Sequence, residues 1–230
     1  MNTITKRLLS MLVVMAMVLS MSPVITLPAA AATNPVKERV DAWVAENTGK
    51  EFTSTYCPFC DKEVTWVAGT AANISEGFNS KGQQHVYLAE NITSTAAMAL
   101  NTYWGIVNSE YSSLCLYLND KTFTFDGYIN VRCDLAIMGN GTVTRTDTVN
   151  TYSMFWMGSN DFDEIYIYGG TWKNESSNAI LDANKAKVAN IYGGSFTKTN
   201  EQYLGYEIYT GGTGRVTIYG GRFATGNFGG

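Results

Sequence analysis

Cysteine is the most chemically distinctive residue type in this chain, and two of its four copies, Cys57 and Cys60, stand three positions apart in "TYCPFC". Two thiols at this spacing can act as a low-pKa redox dithiol, form half of a tetrahedral metal site, or close a local disulfide. Dithiol redox catalysis also needs a cis-proline that faces the pair from later in the chain, and no proline follows Pro58. The sequence therefore disfavours redox catalysis.

A zinc site at this pair would need further ligands from elsewhere in the chain. The remaining cysteines, Cys115 and Cys133, do not repeat the Cys-x-x-Cys spacing, and His85 is the single histidine. We therefore expect Cys57 and Cys60 to form a local disulfide or to remain a free pair, with Zn²⁺ as the alternative. Cys115 and Cys133 are expected to pack against a wall of strands, and His85 to be a surface or strand residue without a catalytic partner.

The densest acidic cluster is Asp161, Asp163 and Glu164, in the string "NDFDE". Carboxylate oxygens suit Ca²⁺, and paired carboxylates are required for glycoside hydrolysis, because one donates a proton while another activates water or attacks. Acidic loops are more often simply solvated. We expect a solvated loop with Ca²⁺ as the alternative, no bound cofactor, and no catalytic residue that the sequence identifies.

Three copies of Ile-Tyr-Gly-Gly, each followed two residues later by an aromatic, indicate how the chain is built. Together with Ile137, their isoleucines are 30, 24 and 27 residues apart: Ile137, Ile167, Ile191 and Ile218. Short alternating runs at such a period are typical of stacked strand repeats. Leucine-rich repeats need a Leu-rich consensus that is absent, and a propeller blade needs about 40 to 45 residues. The sequence predicts an all-β chain that forms a parallel β-helix over residues 85–230.

Strand alternation assigns the residues of each repeat to two faces. The inward positions are Ile165, Ile167, Ala189, Ile191, Val216 and Ile218, and after a sharp glycine turn Trp172, Phe196 and Phe223. The outward positions carry a tyrosine column, Tyr168, Tyr192 and Tyr219, beside a second column of Tyr166, Asn190 and Thr217. None of these outward residues is acidic, so the recurring strand offers no carboxylate pair for catalysis.

The tyrosine column is the best candidate for a ligand-binding site in the sequence. Neighbouring strands lie about 4.8 Å apart, so the three rings should stack as a ladder on one face. A tyrosine ring with a polar tip suits the C–H face of a sugar, and Asn190 could add hydrogen bonds. Cross-strand aromatic pairs also stabilise sheets by about 0.2 to 1 kcal/mol each. A glycan-contacting role and a structural role both remain open.

The strings "LYLNDKTFTF" and "LAIMGNGTVT", with the Ile-Tyr-Gly-Gly units, resemble secreted repetitive right-handed β-helix proteins of Gram-positive anaerobes, related in fold to pectate lyases. The preceding "CPFCDKEVTW" and "HVYLAENIT" resemble the lead-in of that group. The resemblance implies a right-handed coil and covers residues 57–223, but it implies no single activity, because this fold hosts lyases, hydrolases and adhesins alike. One departure is Asp120, where the group usually has Gly, so we expect a looser turn there.

The N-terminal segment has a basic start, an apolar run and a small-residue end, which together predict a signal peptide over residues 1–32. An amphipathic helix is expected from 34 to 47, within a helix-and-linker segment at 33–54, and it could cover the open end of a solenoid. The Cys-x-x-Cys lead-in follows at 55–84.

Loss of Lys6 and Arg7 with the signal peptide leaves 14 basic against 20 acidic residues, which disfavours nucleic acid as a partner. No later run is apolar enough to span a membrane.

These features favour a secreted or cell-surface protein whose role is non-enzymatic: an adhesive or glycan-contacting β-helix module whose partner is a polysaccharide or a host or cell-wall glycan. The alternatives are a polysaccharide lyase or glycoside hydrolase of the same fold, and a passive structural stalk. No cap is recognisable near "ATGNFGG", so we expect the chain to be a fragment of a longer repetitive protein.

Overall fold

Strands make up nearly all of the regular structure in this computed structural model. It describes residues 34–72, 74, 83–93, 104–107, 113–132, 134–147, 152–157, 164–199, 207–210 and 214–225. The described residues from Pro35 onward belong to one compact unit. The predicted signal peptide and its cleavage lie outside the described residues. No helix in the described part of the chain has the length and apolar character needed to span a bilayer.

Among the elements that the structure describes, one helix comes first and strands follow. The helix is α1 (Pro35–Asn47). The described strands are β1 (Tyr56–Cys57), β2 (Lys62–Glu63), β3 (Val67–Gly69), β4 (Gln83–Leu88), β5 (Ile92–Thr93), β6 (Trp104–Val107), β7 (Ser113–Tyr117), β8 (Thr122–Phe125), β9 (Ile129–Arg132), β10 (Asp134–Met138), β11 (Thr142–Arg145), β12 (Phe155–Trp156), β13 (Glu164–Ile167), β14 (Thr171–Asn174), β15 (Leu181–Asp182), β16 (Val188–Ile191), β17 (Ser195–Lys198), β18 (Ile208–Tyr209), β19 (Val216–Ile218) and β20 (Arg222–Thr225).

Three parallel sheets contain the strands from β3 onward, while β1 and β2 pair as an antiparallel hairpin. Sheet 1 has the order β19-β16-β13-β10-β7-β4-β3, sheet 2 the order β20-β17-β14-β11-β8-β5, and sheet 3 the order β18-β15-β12-β9-β6. From β4 to β20, neighbouring strands within a sheet are therefore three places apart in the chain, whereas β3 pairs with β4, the next strand along the chain. The described chain is mostly β, with parallel sheets and one short helix.

The register in sheet 1 confirms the alignment of the isoleucines. Ile137 is opposite Ile167, Ile167 opposite Ile191, and Ile191 opposite Ile218. The column extends backward through Leu116 to Val86. Ile137, Ile167 and Ile191 are almost fully buried, as predicted, whereas Ile218 is 52% exposed. The difference follows from position, because Ile218 lies on β19, the outermost strand of its sheet.

Glycine pairs make the turns from sheet 1 to sheet 2, as the sequence predicts. Gly170, Gly194 and Gly221 all have positive φ, which glycine adopts without steric cost. A side chain at Gly194 would also meet the carbonyl oxygens of Gly169 and Gly170 at 3.1 Å. After the turn, Trp172 and Phe196 are fully buried as expected, whereas Phe223, on the edge strand β20, is 36% exposed. The repeated Gly-Gly is therefore a backbone requirement of the close turn between sheet 1 and sheet 2.

Helix α1 occupies the residues that the sequence predicts, but it does not pack against the open end of a solenoid, which was the expected partner. Val40 and Trp43 are buried in an apolar cluster with outward-facing residues of sheet 1, including Tyr117 and Tyr168. The Trp43 ring meets the Tyr117 ring edge-on at 4.7 Å. The helix therefore covers the outer face of sheet 1 and not an open end, because that face carries aromatic side chains that need burial.

Asp120 occupies the turn where a glycine was expected. It takes up the left-handed conformation with φ 55°. Its carboxylate accepts a hydrogen bond of 2.9 Å from the Gly49 amide. The Asp120 side chain, which a glycine would lack, thus connects the β7–β8 turn to the segment that follows α1.

Candidate functional site

The tyrosine ladder forms as predicted. Tyr168 and Tyr192 stack with ring centroids 4.8 Å apart, and Tyr192 and Tyr219 with centroids 4.7 Å apart, in nearly parallel planes. The column continues through residues at the same register, Met138, Tyr117 and Tyr87. Regular strand spacing on one face is sufficient to produce this stack.

Burial changes the interpretation of the ladder. Tyr168 and Tyr192 are only 7% and 6% exposed, whereas Tyr219 is 60% exposed. The cover is the lead-in before β3, whose Phe59 ring lies 6.1 Å from the Tyr168 ring. Asn190, in the second column, is half-buried. As a surface for a glycan, the ladder is therefore reduced to Tyr219, since the expected outward rings of Tyr168 and Tyr192 pack against another part of the same chain.

The acidic cluster is only partly described. Asp161 and Asp163 lie outside the described residues. The Glu164 carboxylate accepts a hydrogen bond from the Tyr166 hydroxyl and lies 2.8 Å from the Lys187 ammonium. These contacts lower the pKa of Glu164 despite the opposing effect of its burial. Glu164 thus has a cationic partner in Lys187, the residue just before β16.

A second cluster, which we call the Cys3His cluster, consists of Cys57, Cys60, His85 and Cys115. Two of its members come from sheet 1, where His85 on β4 is directly opposite Cys115 on β7. Both point to the outer face, because the residues that follow them, Val86 and Leu116, belong to the inward column. Strand alternation and register thus place a thiol beside an imidazole.

The other two members come from the β1–β2 hairpin. Cys57 ends β1, and its carbonyl accepts a hydrogen bond of 2.9 Å from the Asp61 amide, which closes the turn. Asp61 is one of the few non-glycine residues with positive φ in the described chain. The Cys60 amide donates to the Cys57 sulfur at 3.5 Å. This tight turn aims both thiols at the outer face of sheet 1.

The four potential ligand atoms are close together. The Cys60 sulfur lies 3.4 Å from the His85 Nε2 atom and 3.4 Å from the Cys115 sulfur. All four ligand atoms lie within 4.8 Å of one another. Cys57, Cys115 and His85 are buried, at 0%, 1% and 5% exposure. The cluster is therefore shielded from solvent except at Cys60, which is half-buried.

Hydrogen bonds between the sulfurs make the three thiols inequivalent. The pKa of Cys60 is strongly lowered, first by its hydrogen bond with Cys115 and then by that with Cys57. The pKa of Cys115 is raised by its sulfur neighbours and by burial. Cys60 is therefore the thiol that most readily ionises, and a thiolate is the form that binds metal.

Contacts around the Cys3His cluster hold its members in position. Arg39 of α1 donates to the Pro58 carbonyl at 2.5 Å and pairs with Asp61 at 3.3 Å. The Trp66 ring meets the His85 ring edge-on at 5.4 Å, and its Nε1 donates to the Tyr56 carbonyl at 3.2 Å. The helix, the hairpin and β4 are thus linked directly around the four side chains.

Sequence reasoning missed His85 and Cys115 as partners of the Cys-x-x-Cys pair. His85 is in a strand, as one of the two expectations had it, but it is buried and in contact with Cys60. The sequence does contain a signal for this pairing, because the similar strings "HVYL" and "CLYL" begin at His85 and Cys115 and place the two residues at the same position of neighbouring repeats. Cys133 lies outside the described residues.

A third cluster is aromatic and lies on the side of sheet 3. The rings of Tyr128 and Tyr152 are 4.5 Å apart, and Trp156 lies 4.9 Å from Tyr152 and 6.1 Å from Tyr128. Tyr152 is 40% exposed. Its carbonyl accepts a hydrogen bond from the fully buried Arg145, which fixes the backbone of this segment against β11. We call these three rings the aromatic platform.

Residues opposite Trp156 in the sheet extend the aromatic platform. Trp156 is opposite Asp182, and Asp182 is opposite Tyr209. Tyr209 is 43% exposed. Burial raises the pKa of the Asp182 carboxyl, and one of its oxygens accepts a hydrogen bond from the Asn184 amide at 3.0 Å. The arrangement places a carboxyl group between two aromatic side chains.

Comparisons of the chain with protein-family models, with curated proteins and with solved structures found no match.

Proposed function

We propose that the described strands form a right-handed parallel β-helix. The pairing of strands three places apart in the chain, from β4 to β20, supports this, because it is the order that successive three-strand coils produce. Right-handedness follows from the general rule that crossovers between parallel strands of one sheet are right-handed in nearly all cases. The resemblance to secreted β-helix proteins supports the same architecture.

On this architecture, we propose a non-enzymatic, glycan-contacting module that is secreted or displayed at the cell surface. The observation that carries the proposal is the aromatic platform, since three clustered rings with partial exposure suit the C–H faces of a sugar. The export part rests on the signal-peptide pattern at residues 1–32.

Polar groups beside the platform favour a glycan over a purely apolar partner. The Asp182 carboxyl lies at strand spacing between Trp156 and Tyr209, so it is placed to accept hydrogen bonds from sugar hydroxyls. This column has one carboxylate, whereas hydrolysis by a paired-carboxylate mechanism requires two. Binding is therefore favoured over cleavage at this position.

The test is retention of the purified chain on insoluble plant, mucin and cell-wall polysaccharides. Trp156→Ala and Tyr152→Ala are expected to abolish retention, because each removes a ring from the platform. Tyr219→Ala is the matched control: it also removes an exposed tyrosine ring, but from sheet 1. Circular dichroism spectra would establish that each variant keeps its strands.

Retention that survives both platform substitutions but is lost in Tyr219→Ala would move the contact to the ladder. No retention of the unmodified chain on any of these materials would contradict the proposal and favour a structural stalk. Release of reducing or unsaturated sugar ends by the chain would favour a lyase or hydrolase.

A further inference from the structure

We propose that Cys57, Cys60, His85 and Cys115 bind a single Zn²⁺ ion, and that this ion fastens the N-terminal helix and hairpin to the outer face of sheet 1. The proposal is independent of glycan contact, since the ligands lie on a different sheet from the aromatic platform. It adds a ligand set to the Cys-x-x-Cys pair that the sequence alone does not assemble.

The dimensions of the Cys3His cluster suit a tetrahedral ion. With Zn–S distances of about 2.3 Å, two sulfurs on one tetrahedral ion lie about 3.8 Å apart, and a sulfur and a nitrogen lie slightly closer. The Cys60 sulfur lies 3.4 Å from both the Cys115 sulfur and the His85 Nε2 atom. Four ligand atoms within 4.8 Å of one another need shifts of only a few tenths of an ångström to about one ångström to reach such a shell.

The types of donor atom select the ion. Three thiolates and an imidazole are soft or borderline ligands, which favour Zn²⁺ and disfavour Ca²⁺ and Mg²⁺, since those ions prefer oxygen. Cys3His is also one of the recurrent ligand sets of structural zinc sites. Four protein ligands leave no position for water or substrate, so the ion would stabilise the fold and would not catalyse a reaction.

Burial of the cluster argues for an ion over a disulfide. A disulfide would use two of the three thiols and leave the third beside the His85 imidazole. The ion uses all four groups and removes the cost of keeping polar side chains away from water. It also explains why the hairpin turn aims both of its thiols at one point on the sheet.

The ion would join segments that are far apart in sequence. Cys57 and Cys60 belong to the hairpin, whereas His85 and Cys115 belong to neighbouring strands of sheet 1. Because a metal shell assembled by folding contributes its binding free energy to stability, removing the ion should release α1 and the hairpin first. The strands of sheets 2 and 3, which carry no ligand, should respond less.

The first experiment measures metal in the full-length chain, purified under reducing conditions, by elemental analysis after dialysis against zinc and then against metal-free buffer. We expect one equivalent of zinc per chain. Replacement with Co²⁺ should give the intense visible bands of a tetrahedral site together with thiolate charge-transfer bands, which report geometry and sulfur ligation directly.

Variants test the identity of the ligands. Cys115→Ser and His85→Ala are expected to lose stoichiometric binding. His85→Cys should keep one equivalent and alter the Co²⁺ spectrum toward four sulfur ligands, which a purely structural histidine would not do. Cys133→Ser is the matched control, since it removes a thiol that the proposal does not use and should keep both the metal and the spectrum.

Two results would overturn the assignment. One is a chain that retains no zinc and has fewer free thiols on titration, which would favour a disulfide. The other is metal retention in Cys115→Ser with loss in Cys133→Ser, which would exchange one ligand for another. Should Cys115→Ser fail to fold, the His85→Cys spectrum still decides whether position 85 coordinates the ion.

Discussion

At the scale of single residues, the outer face of sheet 1 shows how the neighbouring strand decides what a side chain can do. His85 and Cys115 are 30 positions apart in the chain, yet they are directly opposite each other. Two positions further along the same strands, Tyr87 and Tyr117 are paired in the same way. One pair belongs to the Cys3His cluster, and the other is packed beneath the lead-in.

The burial of the Tyr117 hydroxyl predicts that the free energy of unfolding changes at alkaline pH. Burial, with a smaller contribution from the Asp120 charge, raises the pKa of Tyr117 to about 12, whereas a tyrosine in an unfolded chain ionises near pH 10. Between these values the unfolded chain binds fewer protons than the folded one, so the free energy of unfolding falls as pH rises. The full loss is at most about 3 kcal/mol.

Urea denaturation of the unmodified chain and of Tyr117→Phe, each at pH 9 and pH 11, checks this prediction. Phenylalanine keeps the ring and cannot ionise, so the variant should lose less stability between the two pH values. The loss of stability between the two pH values is measured for each protein, and the two losses are then compared. The cysteines are present in both proteins, so their ionisation contributes to both losses and does not account for a difference between them. Equal losses in the two proteins would contradict the assignment to Tyr117.

At the scale of elements, the helix and hairpin act as a cover for sheet 1. Trp43 is 7% exposed, stacks on Trp66 at 5.7 Å, and donates from Nε1 to the Ser54 hydroxyl at 3.1 Å. These contacts connect α1 to the segments on both sides of the hairpin. The burial of Tyr168 also depends on this lead-in, because the Phe59 ring packs against the Tyr168 ring.

Trp43→Ala should therefore release α1 from the sheet. A buried Trp→Ala substitution costs about 3 to 5 kcal/mol, and we expect the loss to appear as faster amide hydrogen exchange in residues 35–66. Exchange in β11, β14 and β17 of sheet 2 should change much less. Glu46→Ala, at an exposed position on the same helix, is the matched control and should leave the exchange pattern as it is.

The sequence predicts the existence of these elements better than their partners. Asn34, Pro35 and the spacing of Val36, Val40 and Trp43 indicate the helix, and the isoleucine repeat gives the register of β10, β13, β16 and β19. Neither signal carries information about which surface the helix covers, because an apolar stripe is compatible with any apolar face. The Cys3His cluster depends on that docking, so two of its four members were missed.

At the scale of the whole molecule, inward side chains at the same register form one continuous apolar column along sheet 1. Such a stack is expected to gain stability mainly from contacts between neighbouring layers. The contribution of a column residue to stability should therefore depend on whether neighbouring layers cover it, and not on which amino acid it is. The four aligned isoleucines offer this comparison with the side chain held constant.

Ile137→Ala, Ile167→Ala and Ile191→Ala should each lower the free energy of unfolding by about 2 to 5 kcal/mol, because each leaves a cavity in a packed interior. Ile218→Ala should cost much less, since Ile218 is 52% exposed while the other three are at most 1% exposed. Urea denaturation measures the free energy of unfolding of the four variants. The slope of this free energy against urea concentration is also compared, because a changed slope indicates partial unfolding. A cost at Ile218 equal to the others would mean that this layer is covered in solution, by a partner or by another copy of the chain.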